Sequence, residues 1–261
     1  MRTIAPNGEM KLIIPYKHFL TSTIDGTFHE HPESTCTIVG QLTNPAVIDG
    51  PTLVGTIGVT FRPSGAYRFF PFPMRDLAEH VCLADDALGR QGRELQIRVA
   101  EAHGVQGKVE AIQAFLISAL SRNRRESLAA DHAVREIERS AGRLSIDALS
   151  KRMGYTRRHL DREFSEHVGL SPKTIANIIR FQRIYTGALV SRGPSRLSED
   201  LYDFYYAQTH FAKYFKRFTG LPPGKFQAIG NRFGRLFVSP RYVPFLQDPL
   251  RVIRTLRMKT N

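Results

Sequence analysis

Arg157, Arg158, Asp161 and Arg162 fall within the run Thr156-Arg157-Arg158-His159-Leu160-Asp161-Arg162-Glu163-Phe164. A guanidinium can fork onto a guanine edge, and a carboxylate can accept from cytosine or orient a neighbouring arginine. These groups serve that chemistry only if one face of a helix presents them together. Thr156 can N-cap such a helix, and Leu160, Phe164 and Val168 repeat every four residues along its inner face. Arg157, Arg158, Asp161, Arg162 and Ser165 are then left outside. Ahead of them, Ile146, Leu149 and Met153 form another apolar stripe that Gly154 and Tyr155 interrupt. Two short helices joined by a tight glycine-containing turn make a helix-turn-helix.

The unit occurs twice. Residues 159–175, HLDREFSEHVGLSPKTI, align without a gap on residues 210–226, HFAKYFKRFTGLPPGKF, at an offset of 51. His159/His210, Phe164/Phe215, Gly169/Gly220, Leu170/Leu221 and Pro172/Pro223 are identical across the copies. Self-similarity at a fixed offset marks one supersecondary unit used twice. Between the copies, Ser171-Pro172 opens a helix of about twenty residues, which Gly193-Pro194 would close. Such a helix spans ~30 Å, close to the ~34 Å between successive major grooves on one duplex face.

The elements that must carry these units divide the chain of 261 residues. Residues 1–130 hold 13 basic and 13 acidic side chains, whereas residues 131–261 hold 24 and 11, so the whole excess of +13 lies in the second half. A neutral module joined to one that meets a polyanion has this footprint. Leu12-Ile13-Ile14, Thr35 to Val39 and Leu53 to Phe61 read as strands. From Asp76 the apolar spacing of Leu77, Val81, Leu88, Leu95, Val99, Val109, Ile112, Phe115 and Leu116 suits helices. The polar run from Ser121 to Ser127 reads as a linker. The expected fold class is α+β: a β-rich module with trailing helices over 1–125, an all-α module over 126–230, and a basic extension over 231–261. No apolar run approaches the ~20 residues of a membrane span, and the first residues lack a signal peptide's apolar stretch. No membrane association is therefore expected, and Cys36 and Cys82 are read as two isolated buried thiols in a reducing cytoplasm.

Enzyme chemistry has one foothold. His29-Glu30-His31, with Glu33 close by, has the spacing of a metal-binding His-x-His pair. Catalytic cupins add a distant His in a P-x-G-x-x-H motif; the run Pro63-Ser64-Gly65-Ala66-Tyr67-Arg68 resembles that motif but puts Arg68 at the ligand's place, where a cation repels a metal. The pair is read as lying at a loop edge; neither a metal, a cofactor nor an enzymatic activity is expected. Arg62, Tyr67 and Arg68 beside Phe69 and Phe70 suit a pocket for a carboxylate or phosphate effector. The alternative is that Phe69, Phe70 and Phe72 pack between strands and helices with the arginines at the rim.

The stretch GYTRRHLDREFSEHVGLSPKTIANIIRFQR resembles the first helix-turn-helix and linker of AraC-type (AraC/XylS) transcription regulators. HFAKYFKRFTGLPPGKF resembles their second helix-turn-helix. The likeness covers about residues 131–228. A looser one, IGVTFRPSGAYRFFPFPMRDLAEHV, resembles the end of that family's cupin-like effector domain. The resemblance implies a bipartite DNA-binding domain that controls transcription. It implies base contacts at Arg158, Asp161 and Arg162, with Arg157 nearby, and at Gln208, Thr209, Ala212 and Lys213 in the second unit. Implied partners are double-stranded DNA, RNA polymerase and a small-molecule effector, for a monomer or homodimer acting as an activator in the cytoplasm, at the nucleoid. The second unit departs from the pattern, with Phe204 at the turn glycine and an acidic Ser198–Asp203 segment. Two alternatives remain: a cupin-type metalloenzyme, and a degenerate regulator acting by protein contact.

Overall fold

The computed structural model describes residues 2–49, 55–190 and 208–220, with side chains described over 4–49, 55–183 and 213–220. Eight strands open the chain: β1 (Arg2–Ile4), β2 (Met10–Lys17), β3 (Leu20–Ile24), β4 (Thr27–His31), β5 (Thr37–Val39), β6 (Ala46–Asp49), β7 (Gly55–Phe61) and β8 (Val81–Leu83). They form two four-stranded antiparallel sheets, ordered β1-β6-β3-β4 and β7-β2-β5-β8. The α+β class and the β-rich front module expected from the sequence are what the structure shows. The longest pairing sets Met10 opposite Phe61, Leu12 opposite Val59 and Ile14 opposite Ile57.

Local chemistry fixes these strands. Asp25 and Gly26 both have positive φ between β3 and β4, the two-residue turn whose twist suits a hairpin. Alternation along β2 buries Met10, Leu12 and Ile14, which join Ile38, Phe61 and Phe70 in one core. That core also takes Leu95 and Val99 from α2 (Arg90–Glu101), and Val109, Ile112, Phe115 and Leu116 from α3 (Gly104–Asn123). The short α1 (Ala84–Leu88) precedes them.

Three expectations change. Val81 belongs to a strand, not a helix: the chain takes φ +62° at Glu79, and Val81-Cys82-Leu83 then pairs with the free edge of β5. The four-residue spacing of Leu77 and Val81 is thus fortuitous. The His pair is not at a loop edge. His29 and His31 lie in β4, two residues apart and so on one face, and His31 is buried. Cys36 is buried as expected, and burial pushes its thiol up to about 12, but Cys82 is only half-buried.

His31 joins the two sheets. Its Nε2 lies 2.8 Å from Ser22 Oγ on β3, and its Nδ1 lies 3.3 Å from Thr37 Oγ1 on β5. Burial, reinforced by the neighbouring His29, lowers its pKa to about 4. Folding therefore favours the neutral ring, whereas the unfolded chain binds a proton below its ordinary pKa of 6.5. Stability present above pH 6.5 is lost as pH falls from there toward 4. After allowance for solvent screening, the loss is about 2 kcal/mol. Urea midpoints of the wild type should fall across that window relative to His31→Gln; parallel curves would remove His31 as the cause.

Candidate nucleic-acid interface

Beyond α3 the helices among the described residues are α4 (Leu128–Arg139), α5 (Ile146–Arg152), α6 (Arg157–His167), α7 (Pro172–Val190) and α8 (Gln208–Thr219). Each start in the first unit has its own cap. Ser145 Oγ accepts from the Ala148 amide at α5, and Thr156 Oγ1 accepts from the His159 amide at 3.1 Å at α6. Between them the chain turns at Gly154, whose φ of +70° glycine adopts without the steric cost of a Cβ. Leu160, Phe164 and Val168 are fully buried against Val134, Ile137, Ile146, Leu149, Ile175 and Ile179. The inward stripe read from the spacing is therefore the inward stripe of the structure.

The opposite side of α6 carries Arg157, Arg158 and Arg162 exposed, with Asp161 and Ser165 partly so. They are not equivalent. Arg157 Nη1 bonds Asp147 Oδ1 on α5 at 2.8 Å, and its Nε lies 3.4 Å from Asp161 Oδ2. Asp161 thus stands within ion-pair reach of a neighbouring arginine. Arg158 has no side-chain partner among the described residues. Arg162 Nη2 donates to His159 Nδ1 at 3.1 Å. Further along the surface, Arg139 and then Arg152 hold the Glu136 carboxyl below the usual carboxylate range.

The second copy repeats the buried side. Phe215 is buried like Phe164, and Gly220 takes φ +75° where Gly169 takes +91°. Phe215 and Phe218 pack with Phe181 and Ile178 of α7. Gln208, Thr209 and Ala212 lie on α8, but their side chains are outside the described set; Lys213 is exposed. Phe204, the acidic Ser198–Asp203 segment, the closing Gly193-Pro194 and the extension over 231–261 lie outside the described residues.

The expected linker is short and pinned. Residues Ser121–Asn123 finish α3, Arg124 caps it with φ +42°, and Ser127 caps α4. Arg125 Nη1 donates to the carbonyls of Phe70 at 2.8 Å and Phe72 at 3.0 Å. Its Nη2 reaches Glu166 on α6 at 3.3 Å, and its guanidinium lies 3.7 Å from the centre of the Tyr67 ring. Tyr67 meets His167 edge-on at 4.1 Å, and Arg75 Nη1 bonds Glu166 Oε2 at 2.8 Å.

Arg68 and Tyr67 therefore face α4 and α6. Arg68 Nη2 bonds Asp131 Oδ2 at 2.6 Å, and Ser64 Oγ donates to the same carboxylate. Arg62 is exposed and forms no side-chain hydrogen bond or ion pair among the described residues. Phe69, Phe70 and Phe72 pack into or against the core of the front module. Gly169 sits against the turn at Met74, where a Cβ would lie 2.7 Å from the Met74 carbonyl oxygen. Sequence reasoning missed Arg125, Asp131 and Glu166; charge parity of 1–130 offered no sign of which residues cross the junction.

Comparison with known proteins places both halves. Residues 149–229 match the family described as Helix-turn-helix domain, a range that runs over both copies of the repeat. Residues 1–83 match a domain of unknown function (DUF6597). No curated protein matches the chain. Among solved structures, ToxT from Vibrio cholerae is similar at 11% identity and a TM-score of 0.49, over 87% of this chain and 93% of that one. A substituted apo form of ToxT gives 11% and 0.48 over 88% and 94%. ToxT bound to (E)-4-(8-methylnaphthalen-1-yl)but-3-enoic acid gives 11% and 0.47 over 88% and 95%.

Removing the Arg125 guanidinium leaves two carbonyls and part of Glu166 without their donor. Arg125→Ala should cost about 1.5–3 kcal/mol, read from urea unfolding. Amide exchange should rise at residues 124–131 before it rises in α6. An unchanged midpoint would show that Arg125 is a surface ornament of the junction.

Proposed function

We propose that this chain, a DNA-binding transcription regulator with an AraC-type helix-turn-helix domain at residues 149–229, reads bases with α6 and α8 in adjacent major grooves. The observation that carries the reading is the division of α6 into a buried apolar stripe and an exposed basic side. A helix so divided can enter a groove about 12 Å wide without giving up its own core. Arg158 and Arg162 are the base-reading groups of the first unit. Arg157, held by Asp147 and Asp161, serves as a brace and a phosphate contact. Gln208, Thr209, Ala212 and Lys213 fill the corresponding places on α8.

Residues 1–125 act as a sensing module and 126–230 as the reading domain, with the basic extension over 231–261 adding phosphate contacts. The module's occupant is a small molecule or a partner. It bears on DNA binding through Arg68, Tyr67 and Arg125, because these residues already touch α4 and α6. RNA polymerase is the partner such a regulator would engage at a promoter. The chain works in the cytoplasm, at the nucleoid, as a monomer or homodimer.

Arg158→Ala and Arg162→Ala should each cost about 1–3 kcal/mol at a cognate duplex and relax preference at one base pair. Equal losses on every duplex would assign both residues to phosphate. Neutralising arginines of the 231–261 extension should flatten the salt dependence of affinity and leave base preference alone. An unchanged slope would remove the extension from the interface.

A further inference from the structure

We propose that His159 is a positioning residue for Arg162, acting as a hydrogen-bond acceptor that sets the guanidinium before DNA arrives; this rests on the reading of Arg162 as a base contact. A guanidinium has donors and no acceptor, so the 3.1 Å contact from Arg162 Nη2 requires a lone pair on His159 Nδ1. An accepting Nδ1 belongs to the tautomer that carries its proton on Nε2. That nitrogen faces Glu163 Oε1 at 4.0 Å.

Glu163 is itself fixed on the buried side of the helix. Its Oε2 accepts from Ser127 Oγ at 3.0 Å and lies 3.4 Å from His167 Nδ1. His167 in turn meets Tyr67 of the front module. A continuous line of side chains thus runs from the junction at Ser127 and Tyr67, through Glu163 and His159, to the exposed Arg162. Arg158, one turn earlier, has no such support among the described residues.

The benefit is entropic. An arginine side chain loses rotamer freedom when it forks onto a base, and a side chain already aimed loses less. Protonating His159 abolishes the acceptor and sets a second cation beside Arg162. Among the described residues, the charged groups facing the ring are Arg162 and Glu163; the Tyr155 ring lies 4.5 Å away. Acid should therefore lower the preference for the cognate duplex over a scrambled one, while the added charge favours any duplex.

The test measures affinities of the full chain for its selected duplex and for a scrambled duplex at pH 7.5 and about pH 5.5, a range that spans the ordinary imidazole pKa. His159→Phe should lose about tenfold on the selected duplex only. His159→Asn, whose amide oxygen can stand at the place of Nδ1, should retain wild-type affinity and lose the pH dependence of the ratio. In an Arg162→Ala background, His159→Phe should add nothing. If Arg162→Ala loses affinity but His159→Phe does not, or loses it equally on both duplexes, the positioning role is overturned and base reading stands. If Arg162→Ala loses nothing on the selected duplex, both fall together.

Discussion

Burial of Leu160, Phe164 and Val168 fixes which way α6 faces, and every functional statement about the helix follows from that orientation. Each such side chain contributes about 1.5–3 kcal/mol when withdrawn from water. Their partners come from α4, α5 and α7, so the helix is held from three directions. Rotating it by even one residue, about 100°, would submerge a guanidinium and expose a phenyl ring. The basic side is thus outward because the apolar side has nowhere else to go.

The front module meets this domain through charged and polar contacts and one small apolar cluster at Ala5, without merging the two large cores. The large clusters stay separate, one centred on β2, β7, α2 and α3 and the other on α4 to α7. Between them stand Arg68 with Asp131, and Arg75 and Arg125 with Glu166. Partly exposed ion pairs hold a geometry without binding it as tightly as a buried apolar seam would. A second junction lies nearer α8, where Arg217 Nη2 donates to Thr43 Oγ1 at 2.6 Å and Ala5 packs against Ile178, Phe181, Phe215 and Phe218. The module therefore touches both α6 and α8.

What the chain revealed in advance depended on how local each signal was. The cap at Thr156, the turn at Gly154 and the stripe on α6 are contained within a few residues, and all were legible. The offset of 51 extended that reading to α8, where Phe215 and Gly220 behave as Phe164 and Gly169 do. The sheets were harder. Asp25-Gly26 was a hairpin signal that drew no reading, while Val81 matched a helical spacing that a distant strand overruled. Junction residues were the least legible, because Arg125 and Asp131 gain their meaning from Phe70, Phe72 and Arg68 more than fifty positions away. His159 shows the same limit on a smaller scale. It read as part of a repeat, and only its contact with Arg162 gave it a role.

Selection from a pool of random duplex DNA by the full-length protein bears most directly on whether two helices of one chain read bases. The account predicts enrichment of a bipartite motif whose half-sites lie about 10–10.5 base pairs apart, one helical turn. Recovery of sequences with no common motif, at an affinity that depends only on salt, would contradict it.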